Sequence, residues 1–172
     1  KVSRPSVCNS LDTILLHRSQ AQAFLKAVAS PLKASQVAIF ADTESFSILE
    51  KEEYPTLHQA QEADFGREYL DYACSVKVVA DLAEALGHIQ TYSSRHSEAI
   101  VTSHETEAEF FLQAVDAAAV YWNASTRFTD GGIFDLGAEI GISTQKLHAR
   151  GPFALEKLVT EKWILKGNGQ IR

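Results

Sequence analysis

Cys8 is the residue of this chain best suited to covalent chemistry. It lies in Pro5-Ser6-Val7-Cys8-Asn9-Ser10-Leu11-Asp12-Thr13-Ile14-Leu15-Leu16-His17, ahead of a short polar turn and an apolar run. Ser6 predicts an N-cap for a helix starting near Val7, with Cys8 in its first turn. Free backbone N–H groups at such a position stabilise a thiolate and donate to a nearby oxyanion. The run Thr13–Leu16 predicts a buried strand, so the thiol would ride on a rigid unit, as an acyl-transfer nucleophile requires. An ordinary buried cysteine is the commoner outcome for a lone thiol.

Several polar groups could serve such a nucleophile. The backbone N–H of Cys8 is a candidate oxyanion donor, and the Asn9 side chain is another, though helix first-turn residues are often asparagine for local reasons alone. Asn123-Ala124-Ser125-Thr126-Arg127-Phe128 follows an expected strand, and Arg127 suits bidentate recognition of a carboxylate or phosphate as well as it suits a surface ion pair. With Arg127, the candidate substrate anchors are Asn123, Ser125, Ser143, Thr144 and Arg150; the last lies in His148-Ala149-Arg150-Gly151-Pro152, which could equally be a helix start. Cys74 sits among apolar residues and reads as core. The six histidines show no metal-ligand spacing, so no metal is assigned. No GxGxxG or GxxxxGK[ST] pattern occurs.

The elements that must position these groups follow from periodicity. After the first strand, Ser19 predicts a capped amphipathic helix to about Leu32, with Ala23, Phe24, Ala27, Val28 and Leu32 on its apolar side and Pro31 near its end. Val37–Phe40 reads as a strand, Thr43–Leu49 as a helix or irregular surface piece, and Tyr54-Pro55 as a loop. Ala73–Val79 is a strand, Asp81 caps a helix to about Tyr92, Ala99–Thr102 is a strand, Glu105–Val115 a helix, and Ala118–Trp122 a strand. Apolar strands alternating with helices imply right-handed crossovers, hence an α/β fold whose mostly parallel sheet has helices on both faces. Asn123 to Pro152 holds five of the nine glycines and no long regular element. It starts at a strand's carboxyl end, where open α/β sheets place ligands. A short helix from Phe153 to about Thr160 and a last strand at Trp163–Leu165 complete the chain. That apolar strand would need a partner subunit to cover it.

Composition narrows the function classes. With 172 residues, 45% hydrophobic and 22% charged, the chain suits one globular core. A net charge of −6 disfavours nucleic acid or an anionic membrane as partner. No apolar run approaches a membrane span, and two cysteines without CxxC pairing fit a reducing, cytoplasmic setting. The chain contains no methionine, and the expectation is of a piece of a longer protein.

The segment Pro5–Thr13 with Leu16-His17 resembles the active-site segment of γ-glutamyl phosphate reductase (glutamate-5-semialdehyde dehydrogenase), in the aldehyde dehydrogenase superfamily. So do Ala108-Glu109-Phe110-Phe111-Leu112, Val120–Phe128, Leu136–Thr144, His148–Pro152 and Thr160–Leu165 followed by Lys166-Gly167-Asn168-Gly169. The resemblance implies NADPH-dependent reduction of L-glutamate 5-phosphate to L-glutamate 5-semialdehyde and phosphate in proline biosynthesis, with Cys8 forming a thioacyl intermediate. It also implies that Glu68 contacts the cofactor's ribose. Residues 1–160 would be the catalytic domain and residues 161–172 a C-terminal oligomerisation strand of a homo-oligomer, dimer or larger. The dinucleotide-binding domain would be absent from this chain, leaving it inactive alone. Ser10, Asp12 and Phe153-Ala154 depart mildly from the family pattern. The competing readings are a semialdehyde-oxidising dehydrogenase of the same superfamily and a non-catalytic assembly module with an inert cysteine.

Overall fold

The computed structural model describes residues 1–144 and 146–171. A four-stranded, wholly parallel sheet in the order β1-β4-β2-β3 forms its larger part, from β1 (Thr13–His17), β2 (Ala38–Ala41), β3 (Leu57–Gln59) and β4 (Ala73–Val79). Helices α1 (Arg18–Ala34) and α2 (Thr43–Lys51) pack together on one face. The alternation of a pleated strand puts Ile39 and Ala41, and Cys74, Val76 and Val78, on that face. With Leu25 and Leu49 they form the core. Its other face carries Ser75 and Lys77 and is covered by α3 (Leu82–Tyr92), whose Glu84 pairs with Lys77 at 3.7 Å.

Local signals account for several boundaries. Asp42 caps α2 by accepting from the Ser45 N–H at 2.9 Å, while its other oxygen accepts from Val78 N–H at 3.3 Å, so one carboxylate joins helix and sheet. Asp81 caps α3 through the Glu84 N–H at 2.9 Å, and β4 and α3 have the ends expected from sequence. A second, two-stranded parallel sheet pairs β5 (Ser97–Ile100) with β6 (Ala119–Trp122), the crossover being α4 (Glu105–Ala114).

Five expectations need correction. The sheet is two sheets, and β3 forms just past the Tyr54-Pro55 loop. Helix α1 buries Ala21, Leu25 and Ala29, while Ala23, Phe24 and Ala27 face solvent; the i, i+4 stripe that meets the sheet lies about one residue off the face predicted. Its N-cap is His17, whose Nδ1 accepts from the Ser19 N–H, rather than Ser19. Past Pro152 there is one 3-10 turn, Leu155–Lys157, in place of a helix. Trp163-Ile164-Leu165 forms no strand and pairs with neither sheet; Trp163 is 86% exposed.

Candidate active site

The Cys8 segment is a turn, not a helix start. Its one reverse-turn bond runs from the Ser10 N–H to the Val7 carbonyl at 2.9 Å. The Asn9 carbonyl accepts from the Thr126 hydroxyl at 2.8 Å, which ties the turn to a distant segment. Below the turn, Asp12 accepts from Lys1 Nζ and from the Tyr69 N–H, both at 3.2 Å, which fixes the turn above the amino ends of β1 and β4.

Asn9 is the pivot of the site. It is buried, its Nδ2 donates to the Thr129 carbonyl at 2.7 Å, and its Oδ1 accepts from the Arg127 guanidinium. Thr129 is fully buried, and its hydroxyl meets the Tyr121 hydroxyl at 2.7 Å. The turn is thereby pinned to the 3-10 segment Thr126–Phe128 that follows β6. The site thus joins the amino end of β1 to the carboxyl end of β6, where two sheets meet, and is not a single sheet's carboxyl edge. Cys8 itself is exposed, whereas Cys74 lies in the core, where burial pushes its thiol up to about 11.

The Cys8 thiol is not acidified. Partial burial pushes its pKa above the ordinary thiol value and the Glu139 carboxylate adds to the rise; the backbone N–H groups of Cys8 and Asn9 face the sulfur and oppose it, while Glu68 raises it a little further. This corrects the expectation of a helix-stabilised thiolate. The same two N–H groups are thus directed at the sulfur itself. Asn9 enters that arrangement through its backbone, since its side-chain amide is engaged with Thr129.

The expected anchors separate into two groups. Ser125 caps the 3-10 segment by accepting from the Arg127 N–H at 3.2 Å, and Arg127 is half-buried beside Asn9. Asn123, at φ 52°, accepts from the Thr102 N–H at 3.0 Å and donates to the Thr102 carbonyl at 2.9 Å, so its amide ties two loops and is not presented to a ligand. Ser143 and Arg150 lie at the opposite, amino ends of β5 and β6. Ser143 donates to the Ser94 carbonyl at 3.0 Å; Arg150 pairs with Asp116 at 2.9 Å and reaches the Arg95 carbonyl at 3.4 Å. Hydrogen bonds from Lys146 and then Arg150 hold Asp116 down to about 2. These two residues fasten the glycine-rich loop to the small sheet, and a four-residue strand, roughly 13 Å long, separates them from Arg127. Thr144 is exposed in the same loop, and Glu68 is exposed on the approach to β4.

Sequence reasoning passed over Thr126, Thr129, Tyr121, His96 and Glu139. The first three carry no signal beyond a hydroxyl near Arg127. His96, beside β5, is buried, and burial pushes its ring toward the neutral form. Glu139 was detectable as a lone carboxylate inside an apolar, glycine-rich run. Among the described residues, no group of three or more His, Cys, Asp or Glu side chains is placed to hold a metal ion, and no helix is long and apolar enough to cross a membrane.

This parallel α/β unit has the fold of the aldehyde dehydrogenases. An acetylating aldehyde dehydrogenase from Geobacillus thermoglucosidasius superposes with TM-score 0.54 over 76% of this chain and 36% of its own, at 14% identity, a likeness of fold alone. The γ-glutamyl phosphate reductase of Thermotoga maritima is far closer, with TM-score 0.87 and 43% identity over 100% of this chain and 40% of its own. In sequence, γ-glutamyl phosphate reductases of Pelodictyon phaeoclathratiforme and Clostridium beijerinckii are 56% and 54% identical across the whole chain. No protein-family model matches. The chain matches γ-glutamyl phosphate reductases along its whole length, and it spans about 41% of the length of these curated relatives.

Proposed function

We propose that this chain is the catalytic domain of an NADPH-dependent reductase that converts L-glutamate 5-phosphate to L-glutamate 5-semialdehyde and phosphate in proline biosynthesis. The observation that carries the reading is the exposed Cys8 on a turn whose neighbour, Asn9, is bonded to Arg127, Thr126 and Thr129. A reactive sulfur is thereby held in register with a half-buried guanidinium, which suits an anionic acyl substrate.

The chemistry follows from those groups. The Cys8 thiol loses its proton and the sulfur attacks the acyl carbon, while the backbone N–H groups of Cys8 and Asn9 receive the charge that gathers on the carbonyl oxygen. The bond from that carbon to the phosphate oxygen then breaks, phosphate leaves with the electron pair, and a γ-glutamyl thioester remains on Cys8. Arg127, with Ser125 beside it, takes one of the substrate's anionic groups. Ser143 and Arg150 fasten the glycine-rich loop to the amino ends of β5 and β6, and Thr144 is exposed in that loop. Glu68, an exposed carboxylate close enough to raise the thiol, suits the hydroxyls of a nicotinamide nucleotide's ribose. When bound, NADPH supplies the reducing equivalents that turn the thioester into the aldehyde.

On this reading residues 1–160 are the catalytic domain, and residues 161–172 pair with another subunit of a homo-oligomer. Their exposed apolar side chains (Trp163, Ile164, Leu165) favour that pairing. The dinucleotide-binding domain lies outside this chain, which alone binds NADPH weakly and does not turn over. Free Cys8 and Cys74 suit a cytoplasmic setting. The test is oxidation of L-glutamate 5-semialdehyde with NADP by the full-length protein, which should require phosphate and vanish in Cys8→Ser. Turnover independent of phosphate would point instead to a hydrolytic semialdehyde dehydrogenase, and full activity in Cys8→Ser would refute the assignment.

A further inference from the structure

The turn from Val7 to Ser10 is closed by the bond from the Ser10 N–H to the Val7 carbonyl at 2.9 Å, so Cys8 stands at its first corner and Asn9 at its second. The segment after β6 adds bonds of two kinds to Asn9. Arg127 and the Thr129 carbonyl hold its side-chain amide, whereas the Thr126 hydroxyl donates to its backbone carbonyl at 2.8 Å. The peptide group between Asn9 and Ser10 is thereby bonded at both polar ends, its N–H to Val7 and its C=O to Thr126. A peptide plane is rigid, so holding both ends fixes the dihedrals that flank it, ψ of Asn9 and φ of Ser10. Side-chain bonds alone would leave that plane free to turn.

Thr126 is itself a fixed point. Ser125 caps its segment by accepting from the Arg127 N–H at 3.2 Å, and the Phe128 and Thr129 N–H groups donate to the Ser125 and Thr126 carbonyls at 3.1 and 3.0 Å. Thr129, which follows the segment, is fully buried. A β-branched side chain on a held backbone has little χ1 freedom, so the hydroxyl stays where the Asn9 carbonyl needs it.

Resting on the function proposed above, we infer that Thr126 is a positioning residue of the reaction: its hydroxyl locks the Cys8 turn, and with it the line along which the sulfur meets an acyl group anchored at Arg127. The hydroxyl that holds the turn and the guanidinium that takes the substrate are neighbours on one short segment. Sulfur and substrate are therefore located from the same piece of backbone. Loss of the bond keeps both the thiol and the anchor but removes their mutual register, and misplacing reacting atoms by even 1 Å costs about 100-fold in rate. The two neighbours thus divide the work: Arg127 acts on binding, and Thr126 on the step in which the sulfur attacks.

The experiment compares Thr126→Val, Thr126→Ala and Thr126→Ser with the wild type in the full-length protein, oxidising L-glutamate 5-semialdehyde with NADP and phosphate. In the Val and Ala variants kcat should fall about 10- to 100-fold while KM for the aldehyde stays within about threefold, and Thr126→Ser should recover kcat to within about threefold. Cooperative melting identifies the folded variants, and Thr126→Ala reads the same lost hydroxyl if Thr126→Val does not fold. A loss confined to KM would make Thr126 part of the substrate anchor. That result, an unchanged kcat in the Val and Ala variants, or an equal loss in Thr126→Ser would overturn the assignment while leaving the proposed activity standing. A wild-type protein that did not oxidise the semialdehyde would overturn the functional reading, and this inference with it.

Discussion

Cys8 keeps its proton in a site that disfavours the thiolate. With the thiol raised by partial burial and by the two carboxylates, the reactive thiolate is a minority species at neutral pH, and its fraction grows as pH rises. Alkylation of Cys8 by iodoacetamide should therefore still be accelerating above pH 9 in the ligand-free protein. Glu139→Gln removes a charge that raises the thiol, so its alkylation profile should move to lower pH; a profile unmoved or moved upward would separate Glu139 from the sulfur. Arg127→Lys keeps a positive charge but loses the planar fork that meets Asn9, and kcat/KM should drop at least 10-fold with little change in melting temperature. At this scale the sequence was informative about residue type and poor about partnership. Cys8, Ser125 and Arg127 could be selected from it. That Asn123 spends its amide on Thr102, and that Arg150 joins Asp116 across the small sheet, depends on loop paths that no local spacing encodes.

Among the elements, α3 contains a pH-sensitive position. His88 is buried against Phe65 and Tyr92, neither ring nitrogen has a hydrogen-bond partner, and burial first, then Lys77, pushes its pKa down to about 4, with Glu84 opposing. The folded state therefore holds this ring neutral where the unfolded chain would protonate it. The resulting stability is fully present above pH 6.5 and is lost as pH falls from there toward 4, on the order of 3 kcal/mol at most. The melting temperature should decline across that window, and His88→Phe should flatten the decline. Asp42 acts at the level of elements too. Asp42→Ala should cost about 1–2 kcal/mol in chemical denaturation, because the cap of α2 and the tie to Val78 go together. Helix caps and period-two strands are local properties, which is why β4 and α3 could be read with their ends. The buried stripe of α1 was legible only roughly, since which residues face inward is set by the sheet it packs on. The Cys8 turn was misread because its geometry is decided by Thr126, more than a hundred residues away in sequence.

For the molecule as a whole, the decisive feature is that the two sheets meet at the functional site. The Cys8 turn belongs to the larger sheet and Arg127 to the smaller, and Asn9 with Thr129 is the fastening between them. Asn9→Ala should therefore lower activity more than it lowers stability, by loosening the register of sulfur and guanidinium. The α/β class was open to reading because strands alternate with helices. The division into two sheets was not, because pairing partners are set by tertiary packing. The sharpest check on this account is direct capture of the acyl group. The full-length protein would be mixed with L-glutamate 5-phosphate generated in situ, without reduced nucleotide, quenched in acid, and its peptides mapped by mass spectrometry. One γ-glutamyl group should appear in thioester linkage on Cys8, absent from Cys8→Ser; an acyl group on Cys74, or none on any cysteine in a protein that still turns over, would contradict the proposed function.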